Sequence, residues 1–138
     1  MTLASADQDH ALDEATARSV IARIVKDEDV SPATAERWLA EALRFLNLAA
    51  EMRATSDARL VTPSAPVDAA WHAFILHTRP YAEYCERAYG GFVHHSVTPP
   101  IDPGAGPPQA SGLFSYLLTR VLMRERYGEL DEELWPLS

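Results

Sequence analysis

At 138 residues the chain has the size of one domain, large enough to bury a core but too small for two. A hydrophobic share of 47% with 23% charged residues is ordinary for a soluble globular protein. A formal net charge of −8 argues against nucleic acid or an anionic membrane surface as the main partner, because both require a basic footprint.

The first stretch, MTLASADQDH, is small, polar and without periodicity, so residues 1–11 read as a frayed tail ahead of a single domain at 12–138. It lacks the basic end and apolar run of a signal peptide. No segment is apolar for long enough to cross a bilayer. One cysteine cannot form an internal disulfide, so a reducing cytoplasm is the expected compartment.

Val20, Ile21, Ile24 and Val25 fall at helical spacing, and Lys26 to Asp29 form a polar break. Ser31-Pro32 reads as the cap and first residue of a second helix running to about Met52, with Trp38, Ala42, Phe45 and Ala49 as its inward stripe. Pro66 opens a third helix through Trp71 and Phe74 to about His77. Thr78-Arg79-Pro80 is expected to break it, and Pro80 suits the first turn of a fourth helix that Gly90-Gly91 stops. Ser96 to Gln109 holds five prolines and two glycines and reads as a surface loop. A fifth helix is expected over about Ser111 to Tyr127, burying Leu113, Leu117, Val121, Phe114, Leu118 and Leu122, with Arg120, Arg124 and Arg126 exposed. Trp135 is expected to fold back onto the core. The pattern predicts an all-α fold: a compact single-domain bundle of about five helices with a Pro-rich loop before the last.

Four of the five histidines and the only cysteine lie between Val67 and His95. If the corner is centred on Arg79, His72 lies seven residues before it and Cys85 six after, which would set them at one height on an antiparallel helix pair. Asp68 precedes His72 by one helical turn. Of the adjacent His94 and His95, only one is expected to point inward. Asp68, His72, Cys85 and one of these histidines form a carboxylate–imidazole–thiolate set that suits a divalent transition metal, zinc or iron foremost, with copper also compatible. Asp68 could instead orient the His72 ring from behind. Trp71 and Tyr81 could line a pocket beside the cluster.

The same segment, VDAAWHAFILHTRPYAEYCERAYGGFVHH, resembles the core motif of the glycine-rich-domain-containing-protein-like family. The resemblance rests on Val67, Asp68, Trp71, His72, Ile75, Leu76, Thr78, Tyr81, Cys85, Gly90, His94 and His95. Phe74 stands where many members have a second histidine, and the glycine-rich tail of the larger relatives is absent. The resemblance implies no defined activity.

Three functions compete on these residues. The first is a metal-binding protein, with or without catalysis on a small-molecule ligand. The second is a metal-free thiol enzyme using Cys85 with His72 as base and Asp68 as orienting group. The third is a non-catalytic module that holds a protein partner through the Pro-rich loop or an exposed helix face, the His/Cys cluster being structural.

Overall fold

The computed structural model describes residues 11–54, 61–94 and 108–137, with the backbone alone for 53, 54 and 108–113. Of the expected tail at 1–11 and loop at 96–109, residues 1–10 and 96–107 lie outside the described residues, and 108–109 belong to the last helix. Among the described residues five helices follow in order: α1 (Glu14–Glu28), α2 (Pro32–Ala54), α3 (Ala65–Leu76), α4 (Thr78–Tyr89) and α5 (Pro108–Tyr127). No strand occurs among the described residues, and the fold is an all-α bundle. No helix of the described residues is long and apolar enough to cross a membrane.

Local chemistry sets the helix ends. The Asp13 carboxylate accepts the Thr16 N–H at 3.0 Å and caps α1. Ser31 Oγ accepts the Thr34 N–H at 3.1 Å before α2, and Ser64 Oγ accepts the Val67 N–H at 3.3 Å before α3. Pro32 and Pro66 occupy first-turn positions, where a missing N–H leaves no helical bond unmade. Gly90 closes α4 at φ +72°, a left-handed conformation in which a Cβ would be strained.

α2 is the central helix and packs against α1, α3 and α5, while α1 also touches α3 and α3 leans on α4. Its stripe of Leu39, Ala42, Leu43, Phe45 and Leu46 is buried, and Val20 and Ile24 of α1 meet it with no exposed surface. The C-terminal segment closes the bundle as expected. Trp135 is fully buried and its indole N–H donates to Glu41 at 2.9 Å, while Asp131 accepts from Arg37 at 2.7 Å.

Two expectations are corrected. α5 buries Thr119, Arg120 and Met123, whereas Phe114, Leu117 and Val121 face solvent. Arg120 is inside because both oxygens of Glu132 accept its NH2 at 3.0 Å, which offsets the cost of burying the charge. Second, the corner between α3 and α4 falls at His77 (φ −87°, ψ 70°) rather than at Arg79, and Pro80 lies within the first turn of α4. His77 Nδ1 lies 2.9 Å from the Ala73 carbonyl and helps to close α3.

Candidate site at the α3–α4 hairpin

α3 is apolar on most of its circumference because it is buried by three neighbours at once. Val67, Ala70, Trp71, Ala73 and Phe74 face inward. Asp68 is half-buried and His72, one turn later, is exposed. The two therefore share the outer part of α3, within reach of a common ligand. On α4, Tyr81, Tyr84 and Cys85 turn inward, and Cys85 has no exposed surface.

The earlier corner explains why His72 and Cys85 take such different places. Counted from His77, His72 is five residues before the turn and Cys85 eight after it, so the two no longer stand at one height. Among the described residues no three of the His, Cys, Asp and Glu side chains come together as a metal cage. Asp68, His72 and Cys85 each have an interaction of their own. His94 is exposed, and His95 lies outside the described residues.

The hairpin is tied to the chain that leaves it by a buried relay. Trp71 Nε1–H donates to the Tyr81 hydroxyl at 2.9 Å, and that hydroxyl donates to the Val93 carbonyl at 2.5 Å. Trp71 is 5% exposed and Tyr81 wholly buried, so both belong to the core. The Tyr81 ring packs edge-on against Phe74 at 4.9 Å and Phe92 at 5.2 Å, and the His94 ring sits 4.8 Å from Phe92. Segment 92–94 is thereby pinned to the hairpin through the Tyr81 hydroxyl and ring.

A second polar cluster joins three helices. Tyr89 of α4 donates to Asn47 Oδ1 of α2 at 2.5 Å, and Asn47 Nδ2 donates to the Tyr127 hydroxyl of α5 at 3.0 Å. Tyr127 donates in turn to the Arg44 carbonyl at 3.2 Å and accepts from Arg126 Nε at 3.1 Å. Burial holds the Tyr84 and Tyr89 hydroxyls above the usual phenol range, with the nearby phenols and Cys85 adding to the effect at Tyr89. The sequence did carry a signal, a lone asparagine within the apolar run Phe45-Leu46-Asn47-Leu48.

Chemically, the hairpin sets its thiol apart from its carboxylate and imidazole. A thiol with no exposed surface is closed to a substrate, whereas the carboxylate and imidazole on α3 are open to one. Carboxylate oxygen and imidazole nitrogen suit zinc or ferrous iron, so the donor types fit such an ion without the sulfur.

Residues 9–105, more than half of the chain, match the model of the UCP032817-like family. The chain belongs to that family. The UCP032817-like region takes in α1 to α4 and the whole histidine segment, while α5 lies beyond it. No curated protein and no solved structure matches the chain.

Proposed function

We propose that the chain is a small metal-binding protein whose ion, zinc or iron, sits on the solvent side of α3. Asp68 and His72 would supply one oxygen and one nitrogen, and the His94-His95 pair a further imidazole. The observation that carries this reading is the Trp71–Tyr81–Val93 relay, which fastens the chain entering His94 to the residue preceding His72. The third donor within this set rests on the sequence, since His94 completes no group of three and His95 lies outside the described residues. Cys85 is left out of the set and serves the core. A site built by three protein donors keeps a coordination position for a small-molecule ligand.

The test is elemental analysis of protein purified without a metal-affinity tag, followed by melting with added zinc or ferrous ion. Stoichiometric metal is expected, and ion at about a hundred times its Kd should stabilise the fold by ~2.7 kcal/mol. His72→Ala should lose the metal and keep the helical spectrum, because His72 is exposed. Metal-free protein whose melting ignores both ions would overturn the reading.

A further inference from the structure

α5 leaves an apolar row uncovered. Phe114 is 63% exposed, Leu117 39% and Val121 52%, and their spacing of three and four residues sets them along one side of the helix. The opposite side is fixed to the bundle by Met123, Thr119 and the Tyr127–Asn47 bond. Glu125 extends the exposed row by one more turn, with Arg124 exposed beside it.

We propose that this row is the self-association surface of the chain, occupied by α5 of a second copy running antiparallel. The row is its own complement when reversed. A two-fold axis level with residues 117 and 118 sets Phe114 opposite Val121 of the second copy, large against small, twice over. The same operation brings Glu125 level with residue 110 of the second copy, in the first turn of its α5. That turn carries no acidic residue, and the positive end of the helix dipole there attracts a carboxylate. A parallel pair would instead place Glu125 against Glu125 and Arg124 against Arg124, repulsion at each contact.

Charge also favours this face. Among the described side chains of α5 the exposed ones carry one arginine and one glutamate, no net charge, in a chain of 12 basic and 20 acidic residues. Two acidic molecules meeting through α5 keep their negative surfaces apart. The row is small beside the roughly 800 Å² per partner of a stable dimer, so the association is weak, with a Kd on the order of 100 µM.

Sedimentation velocity in EDTA, which removes any metal bridge and so separates this proposal from the preceding one, reads the outcome directly. From about 10 µM to about 1 mM the mass should move from the 15.2 kDa monomer towards twice that value. Val121→Glu and Phe114→Ser should each remain folded and monomeric throughout. Leu117→Cys should be joined by a short bismaleimide, while Glu125→Cys should not, because its two copies stand roughly 22 Å apart along the axis. A lone monomer at the highest concentration overturns the proposal, and so does linkage through Glu125→Cys in place of Leu117→Cys.

Discussion

Trp71 and Tyr81, ten residues apart on consecutive helices, meet through one hydrogen bond of 2.9 Å. The bond crosses the corner at His77, and the same phenol reaches on to the Val93 carbonyl. One hydroxyl thus fixes two angles, that between α3 and α4 and that at which the chain returns after Gly90.

Tyr81→Phe keeps the ring and its edge contacts but removes both bonds. The Trp71 N–H and the Val93 carbonyl would each lose a partner in a buried place, which costs about 1–3 kcal/mol. A fall of several degrees in Tm is expected, with increased amide exchange at residues 92–94. An unchanged Tm would mean that the relay does not hold the hairpin.

The helices were legible in the sequence because their caps and apolar stripes are local features. Ser31-Pro32, Pro66 and Gly90 each mark an end that the structure keeps within a residue or two. The corner was misplaced because Pro80 reads equally as a breaker or as a first-turn residue, and only packing decides. That shift of two residues moves His72 and Cys85 off one level. The face of α5 is not legible locally for a related reason. An apolar row at Phe114, Leu117 and Val121 has the spacing of a core stripe, and nothing local tells a row bound for the core from one left exposed. Arg120 reads as a solvent residue in the sequence because its partner, Glu132, arrives from a separate turn of the chain.

Cys85 should behave as an inert hydrophobe. With no exposed surface, its thiol should react with a disulfide reagent at the rate of global unfolding, and fast only in denaturant. Cys85→Ala should cost about 1 kcal/mol through loss of buried contacts and leave metal content as it was. Rapid modification of the native protein, at the rate of an open thiol, would return Cys85 to the site.

Asn47 bridges Tyr89 and Tyr127 while only 4% exposed, so its amide joins α2, α4 and α5 at one point. Asn47→Ala removes both bonds from a buried place, and a loss of about 1–3 kcal/mol is expected. Urea denaturation should show the midpoint falling at constant slope, since the folded state keeps its size. A loss below half a kilocalorie would place the joint elsewhere.

The same cluster predicts how the fold responds to alkali. Tyr84 and Tyr89 are held above the usual phenol range chiefly by burial, so the folded state favours their neutral forms. In the unfolded chain both ionise near pH 10. A group whose pKa is raised on folding contributes its full stability below the unfolded pKa and loses it as pH climbs towards the folded one. Stability should therefore be level up to about pH 9 and fall above about pH 10. Tyr89 has a further reason to stay protonated, because ionisation would remove the hydrogen that it donates to Asn47. Absorbance at 295 nm should show these two phenols silent in the folded protein and appearing together with the loss of helical ellipticity. Tyr89→Phe should flatten the alkaline decline while lowering stability at neutral pH. Reversible ionisation of all five tyrosines near pH 10 with the helices intact would show that burial does not govern them.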